Sequence, residues 1–309
     1  MSFVLRRIGW SLVVVWFVVT ATFAMIALIP ADPMKVLLGP HATPDAIAHA
    51  RAHYCLDRGL AGQYGCFIDR IVHGDLGESY RSKRAVTAIL AERIWPTAQL
   101  ALAAIVLQLL IGVPLGVIAA LRRNRWPDYA SNLAGLVGQS APTFFVGMVL
   151  ISVLSSRFGW FPINGYGKPG LDRLYHLVLP ALTLAAVGVA YYSRVVRSEL
   201  IDTLQEDYVR TARAKGLSER RVIVKHALRN ALGPLVTLVG LDLGVLLGGA
   251  VIVEYLFGWP GLGREVLQAI HDLDIPLVVG VVLISAIAIA AANLIVDLVY
   301  LWLDPRLRD

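Results

Sequence analysis

Six long stretches of the chain carry almost no charged side chains, and each is long enough to cross a lipid bilayer. Five contain no Asp, Glu, Lys or Arg, and one is interrupted only by Asp242. A bilayer core about 30 Å thick requires about 20 residues of α-helix. Because lipid offers the backbone no hydrogen-bond partners, each stretch must satisfy its own peptide groups as a helix. The runs are Ile8 to Ala31, Ile94 to Leu121, Tyr129 to Ser156, Leu174 to Ser193, Asn230 to Val253 and Ile275 to Val296.

The amino-acid composition excludes the main classes of soluble protein. Hydrophobic residues make up 57% of the 309 positions and charged residues 16%, whereas soluble chains carry about 25% charged residues. Disorder conflicts with this hydrophobicity, and two cysteines are too few for a disulfide scaffold. The net charge of +6 would suggest nucleic-acid binding in a soluble protein, but multi-span membrane proteins gather Lys and Arg on their cytoplasmic side. The sequence therefore predicts an all-α membrane protein with six transmembrane helices and no nucleic-acid partner.

The distribution of basic residues predicts the orientation of these helices. With the N-terminus inside, the cytoplasmic segments carry 15 Lys or Arg in 57 residues, against 12 in 106 residues outside. We therefore expect both termini in the cytoplasm. The first run exceeds the apolar region of a signal peptide, about 7–15 residues, so we interpret it as a retained helix. The predicted division is an N-terminal transmembrane helix at 1–30, an extracytoplasmic segment at 31–95, and a five-helix core at 96–309 that includes a cytoplasmic segment at 201–231.

The extracytoplasmic segment contains both cysteines and a pair of histidines with metal-ligand spacing. Cys55 and Cys66 lie in a compartment that permits disulfides, but a spacing of eleven residues leaves open whether their side chains meet. His49 and His53 have the i, i+4 spacing of a helical metal pair. Because no third ligand is fixed by spacing, we interpret them as exposed residues of a surface helix that begins at Thr43-Pro44, and we predict no metal site.

The cytoplasmic segment between the fourth and fifth runs predicts two short helices. The first ends at Gly216, a residue that favours helix C-termini, and Ser218 begins the second. Small residues on the first helix would let a protein partner approach closely, and neighbouring basic residues could pair with its acids. A basic juxtamembrane helix held to anionic lipid is the alternative. In the second helix we expect Val222, Ala227 and Leu228 to pack, and Arg220, Arg221, Lys225 and Arg229 to stay in solvent.

Several motifs together give the chain a family resemblance that covers nearly its entire length. They resemble the transmembrane subunit of bacterial binding-protein-dependent ABC importers, in the dipeptide, oligopeptide and nickel permease branch. The strongest elements are Glu206-Asp-Tyr-Val-Arg-Thr-Ala-Arg-Ala-Lys-Gly216, His226-Ala-Leu-Arg-Asn-Ala231, Phe257-Gly-Trp-Pro-Gly-Leu-Gly-Arg264 and Asn293-Leu-Ile-Val-Asp297.

The resemblance implies that the cytoplasmic motif is a coupling helix, which docks in a cleft of an ATP-hydrolysing subunit. Ala212 and Gly216 would be its small packing positions. The general importer motif begins Glu-Ala-Ala, whereas Arg210 and Thr211 stand here in place of its Glu and first Ala, as is usual in the peptide branch. The docking residues implied are Asp207, Tyr208, Arg210, Thr211, Ala212, Arg213, Ala214, Lys215, Gly216 and Leu217.

The same resemblance implies the partners and the substrate class. The partners would be a second homologous permease subunit, two cytoplasmic ATPase subunits and an extracytoplasmic binding protein, assembled at the bacterial inner membrane. The sequence lacks the phosphate loop Gly-x-x-x-x-Gly-Lys-Ser/Thr, so we expect no enzyme and no bound cofactor in this chain, with ATP and Mg on the partners. The expected substrates are di- or oligopeptides; glutathione, nickel chelates and saccharides are alternatives.

Polar residues in or near the membrane complete the set of candidates. An unpaired charge at mid-bilayer costs at least about 2.5–3.5 kcal/mol, so Asp242 should face either the translocation path or a neighbouring helix. Asn293 and Asp297 share one helix face and favour packing. A gradient-driven secondary transporter ranks below the importer, because neither inverted repeats nor chained acid and base residues are found. By resemblance, the outer gate and the docked binding protein adjoin Glu254, Trp259, Pro260, Gly261 and Arg264.

Overall fold

A computed structural model describes residues 2–28, 43–53 and 55–303, and within these ranges the regular structure is helical. Apart from helices, the only pairing of extended backbone in the described residues is an isolated bridge between Glu78 and Ala85. The helices are α1 Ser2–Leu28, α2 Pro44–His53, α3 Leu60–Val72, α4 Val86–Leu121, α5 Trp126–Ser140, α6 Thr143–Arg157, α7 Leu171–Thr203, α8 Asp207–Ala214, α9 Glu219–Ala231, α10 Gly233–Gly249, α11 Val251–Leu256, α12 Leu262–His271 and α13 Ile275–Leu303.

Four of the described helices are long and apolar enough to cross a membrane, and a fifth span is formed if one bent pair counts as a single crossing. The four are α1, α4, α7 and α13. In the bent pair, α9 and α10 meet at 47°. All-helical architecture is thus as predicted, whereas the number of crossings and the orientation stay predictions.

Two of the six predicted runs are not continuous helices. The run from Tyr129 to Ser156 divides at Ala141-Pro142, where α5 ends and α6 begins. Proline has no N–H and disfavours helical geometry in the residue before it, while its carbonyl accepts the first amide bonds of α6, from Phe145 and Val146. The run from Asn230 to Val253 divides twice, at Leu232 and at Ala250.

Close helix contacts position α7 against its neighbours. α4 approaches α7 at Gly112 and Gly116, where side chains would collide with the opposite helix. A Cβ on Gly116 would lie 2.5 Å from the carbonyl oxygen of Ser193 and 2.7 Å from Cβ of Val196. Small residues permit such close packing between membrane helices, so these glycines determine the distance between α4 and α7.

The segment after α1 folds back onto that helix. Thr20 and Tyr64 share a hydrogen bond of 2.7 Å between their hydroxyl groups, and Phe23 packs edge-to-face on the Tyr64 ring. Cys55, in the turn after α2, forms a disulfide with Cys66 in α3, with their Cα atoms 6.5 Å apart. α2 begins at Pro44. The disulfide joins α3 to the turn after α2, and the contact between Thr20 and Tyr64 joins α3 to α1.

Candidate functional site

The docking segment, which we define as Asp207 to Leu217, is a short helix closed by a left-handed turn. α8 is followed by Gly216 with φ of +74°. Only glycine adopts this conformation without strain, so the chain reverses here and enters α9. The structure thus has two short helices where the sequence predicts them, and Ser218 stands at the start of the second without a side-chain capping bond.

One face of the docking segment is buried against its own chain. Val209 is fully buried and Ala212 is 6% exposed, and both belong to a cluster with Leu200, Val222 and Ala227. Ala212 therefore packs inward against its own chain, and its role in docking stays a prediction. The reason for its burial is the helical period, because Ala212 lies one turn after Val209 and shares its face.

The opposite face of the docking segment is exposed and held in place by two polar contacts. Asn230 of α9 donates to the hydroxyl of Tyr208 at 2.8 Å. Arg213 binds Glu219 through two N–H groups, at 2.8 and 3.2 Å, across the Gly216 turn. This bond holds the pKa of Glu219 below its ordinary value. The residues exposed here are Asp207, Tyr208, Arg210, Thr211, Arg213, Ala214, Lys215 and Gly216, while Leu217 is half-buried.

A second basic surface adjoins the docking segment on α9. Arg220, Arg221 and Lys225 line a shallow cavity of about 370 Å³ with Ser218 and Val224. In the described part of the chain none of these three cations forms an ion pair. Val222 and Ala227 are buried as expected, so α9 separates an inward apolar face from an outward basic one.

Glu254 is fully buried, although it was expected at the outer gate. Its carboxylate accepts hydrogen bonds from Thr97 of α4 at 2.6 Å and from the amides of Gly263 and Arg264 at 2.7 and 3.1 Å. Those two amides belong to the first turn of α12, where the helix dipole favours negative charge. A side chain at Gly261 would overlap this carboxylate, so Gly261 is also internal.

Trp259 is a core residue of this chain. Its indole is fully buried, donates to the carbonyl of Pro96 at 2.8 Å, and meets the ring of Tyr166 edge-to-face at 4.7 Å. Of the five residues expected at the outer gate, only Pro260 and Arg264 are half-exposed. The others face inward because the turn after α11 folds over α4 at Pro96 and Thr97.

The polar residues of the membrane runs lie at helix contacts. Asp242 of α10 is half-buried and lies beside the hydroxyl of Tyr192 of α7. Asn293 is exposed on α13, and its side-chain oxygen lies 3.6 Å from where a Cβ on Gly244 would stand. Asp297 belongs to α13, but its side chain lies outside the described residues. These contacts favour helix packing over a path, and both roles stay predictions.

Sequence reasoning missed an ion pair between α5 and α7. Asp128, 2% exposed, binds the guanidinium of Arg197, with Nη2 to Oδ2 at 2.7 Å. The carboxylate also accepts the amide of Asn124 at 2.9 Å and the side-chain amide of Asn132 at 3.0 Å. Arg197 holds the pKa of Asp128 below its ordinary value, against the opposing effect of burial. The signal was an acid just before one apolar run and a base just after another, on the same predicted side.

No group of three His, Cys, Asp or Glu side chains that could hold a metal ion occurs in the described ranges. His49 is exposed on α2.

Comparison with known proteins identifies similar chains along the entire length. A family model for the inner membrane component of binding-protein-dependent transport systems matches residues 112–309, and a model for the N-terminal part of such components matches residues 1–101. Glutathione transport system permease proteins GsiC from Escherichia coli O6:H1 and Salmonella choleraesuis are 39% and 38% identical, covering 100% of this chain and 99% of each relative.

A solved structure of the MetNI methionine ABC transporter in inward-facing conformations contains a chain of similar fold. Its TM-score is 0.52 at 20% identity, over 68% of this chain and 96% of that chain. At this identity the likeness bears on the fold alone.

Proposed function

Because this chain belongs to the family of inner membrane components of binding-protein-dependent transport systems, we propose that it forms one half of an ATP-driven pore for short peptides. The chain is a multi-pass inner membrane protein and a permease of the peptide and glutathione branch. ABC importers of this family work with a separate ATPase and a substrate-binding protein. A second, homologous permease subunit would supply the other half of the pore.

The exposed face of the docking segment carries this proposal. It presents a short, well-held helix with Arg210, Arg213 and Lys215 in solvent, and its buried face ties it to α7 and α9. α8 begins four residues after the end of α7. A push on the docking segment is therefore transmitted directly to a long apolar helix, as alternating access requires. The basic residues of α9 would contact acids on the ATPase beside the main docking cleft.

The proposed topology has six crossings with both termini in the cytoplasm. α5 and α6 together supply one crossing that breaks at Pro142, and α10 supplies another, which the chain enters from the cytoplasmic α9 through a bend of 47°. Broken helices of this kind are tolerated where neighbouring protein satisfies the freed backbone groups.

The proposed substrate is a short peptide, with glutathione as the first compound to test. Glutathione is the substrate named for the similar permeases, and it is itself a tripeptide. The extracytoplasmic binding protein would select among peptides before they reach the pore.

The test is uptake by the purified complete transporter in proteoliposomes supplied with its binding protein. We expect labelled glutathione or a dipeptide to enter only with hydrolysable ATP, and we expect no effect of a proton ionophore. Uptake that proceeds without ATP and stops with the ionophore would show a gradient-driven transporter. Parallel measurements with a nickel chelate and a saccharide decide the substrate class.

Charge reversal on the exposed face of the docking segment tests the observation on which the proposal rests. The double variant Arg213→Glu/Lys215→Glu should insert normally but lose uptake and co-purification of the ATPase, because both side chains are exposed on the proposed contact. Gly216→Arg should do the same, with added backbone strain at φ of +74°. Lys168→Glu, an exposed cation outside the cytoplasmic segment, is the matched control. Unchanged uptake in the double variant would contradict the docking assignment.

A further inference from the structure

The contact between α5 and α7 is organised along one face of each helix. Its first member is the ion pair of Asp128 and Arg197, which are 69 residues apart in sequence. One turn further into α5, the hydroxyls of Ser131 and Ser193 lie 3.0 Å apart. Charge-assisted bidentate bonds are about twice as strong as neutral ones, so the ion pair is the strongest polar contact of this face.

Beyond the serines, the two helices stay in contact through small residues. A Cβ on Gly135 would lie 3.8 Å from Cβ of Ala190, and a Cβ on Gly138 would lie 3.5 Å from the carbonyl oxygen of Ala186. The contacting positions on α5 are therefore 128, 131, 135 and 138, spaced by three or four residues. The matching positions on α7 are 197, 193, 190 and 186, so the two helices are antiparallel. Such spacing places each set on one helix face, so α5 and α7 are in contact over about three turns.

α4 also packs against α7 at the same level. Gly112 and Gly116 allow α4 to approach Tyr192, Ser193 and Val196. Asp128 also binds the amide of Asn124 in the turn between α4 and α5. Its carboxylate therefore joins three parts of the chain: the turn, α5 and α7.

We propose that Asp128 and Arg197 are positioning residues for transport, which keep α5 fixed on α7 so that the docking segment moves α4, α5 and α7 as one body. This inference rests on the proposed function, because it concerns how ATPase-driven movement reaches the pore. α7 leads into the docking segment, and the ion pair lies six residues before its end at Thr203. The apolar and glycine contacts alone would allow α5 to slide on α7, since they lack directional bonds.

A cross-link between Ser131 and Ser193 tests whether the two helices stay together. The chain has two cysteines, and both are joined in the Cys55–Cys66 disulfide, so the double variant Ser131→Cys/Ser193→Cys adds the only free pair. We expect the oxidised, cross-linked transporter to retain uptake within about twofold of its reduced form. Loss of uptake on oxidation, restored by reduction, would overturn the proposal; the two single cysteine variants control for oxidation itself.

Substitutions at Arg197 test whether the ion pair is what couples the helices. In Arg197→Met we expect basal ATP hydrolysis to persist while substrate imported per ATP falls about tenfold, and we expect Arg197→Lys to recover most of the loss. Arg123→Met, an exposed cation of the neighbouring turn, should behave as the unaltered protein. An unchanged ratio of uptake to hydrolysis in Arg197→Met would overturn the role of the pair.

The design separates this inference from the function on which it rests. If Arg197→Met does not assemble, the ratio of uptake to hydrolysis is measured in the isosteric Asp128→Asn instead, with the same expected result. The cross-linking experiment does not depend on either variant. Absence of ATP-dependent uptake in the unaltered protein would refute the proposed function. Normal uptake in the unaltered protein together with an inactive cross-linked form would refute only the inference.

Discussion

Asp128 and Glu254 are both buried carboxylates, but the chain satisfies them by different means. Asp128 is 2% exposed and pairs with the guanidinium of Arg197. Glu254 is fully buried and contacts no basic side chain in the described residues; its partners are the hydroxyl of Thr97 and two amides of α12. One site therefore relies on a flexible cation, and the other relies mainly on backbone groups fixed by a helix.

This difference suits the two regions to different tasks. Backbone amides at a helix N-terminus cannot move relative to their helix, so Glu254 fastens the hairpin of α11 and α12 onto α4 at Thr97. An Arg side chain can follow a small displacement and still keep its bond, at the expense of side-chain entropy. We therefore expect the Glu254 region, which we call the static frame, to keep its internal geometry while α4 moves, and the Asp128 region to hold α5 on α7 during that movement.

The largest effect should come from removing the carboxylate at Glu254. Glu254→Ala leaves the Thr97 hydroxyl and two amides without an acceptor, and each unsatisfied buried donor costs about 1–3 kcal/mol. We expect a loss on the order of 4 kcal/mol, measured as a lower melting temperature of the detergent-solubilised transporter. Glu254→Gln should lose less, because one side-chain oxygen remains. Glu78→Gln, at an exposed position, is the control, and equal melting of Glu254→Ala and this control would contradict the static frame.

A smaller effect should follow from shortening the cation at the other site. Arg197→Lys keeps the charge near Asp128 but loses the two parallel N–H bonds, which are specific to guanidinium. We expect a loss of about 1–2 kcal/mol in the same melting measurement, with complete assembly. A loss as large as that of Glu254→Ala would contradict the smaller effect expected at this site and would show that the geometry of the pair, and not its charge, dominates there.

Sequence patterns predicted the parts of this molecule that depend on neighbours along the chain. The apolar runs predicted helices, Gly216 predicted the end of α8, and the period of α9 predicted the buried Val222 and the exposed Arg221. Each of these follows from local backbone geometry or from periodic burial, which a sequence displays directly.

Contacts between distant residues could not be predicted in the same way. Asp128 and Arg197 are 69 residues apart, and Thr97 and Glu254 are 157 residues apart. Their pairing depends on which helices become neighbours, which a single sequence does not show. The inward turn of Trp259 has the same cause, since an isolated Trp-Pro-Gly motif is equally compatible with a membrane interface. The family resemblance indicated candidate segments, whose roles stay predictions, but not the direction in which their side chains point.

A moderate effect at the static site should come from the indole of Trp259. Trp259→Phe keeps most of the buried ring but removes the N–H that binds the carbonyl of Pro96. One hydrogen bond contributes about 0.5–1.5 kcal/mol, so we expect a loss of about 1 kcal/mol in melting experiments. Trp126→Phe, at an indole that is 75% exposed, should change the melting temperature little. A Trp259→Phe protein as stable as Trp126→Phe would show that the hairpin depends on Glu254 and packing alone.

The smallest effect should come from Glu219. Like Asp128, Glu219 pairs with an arginine, but it lies exposed at the surface. Arg213 holds the pKa of Glu219 below its ordinary value of 4.5. A carboxylate with a lowered pKa in the folded protein contributes stability above the unfolded value and loses it as the pH falls through the folded value. Exposed ion pairs contribute under about 1 kcal/mol. Glu219→Gln should therefore melt slightly below the unaltered protein at pH 7, and the two melting temperatures should converge as the pH falls below 4.5. A difference that widens on acidification would show that another group, and not this pair, determines the pH response of the docking segment.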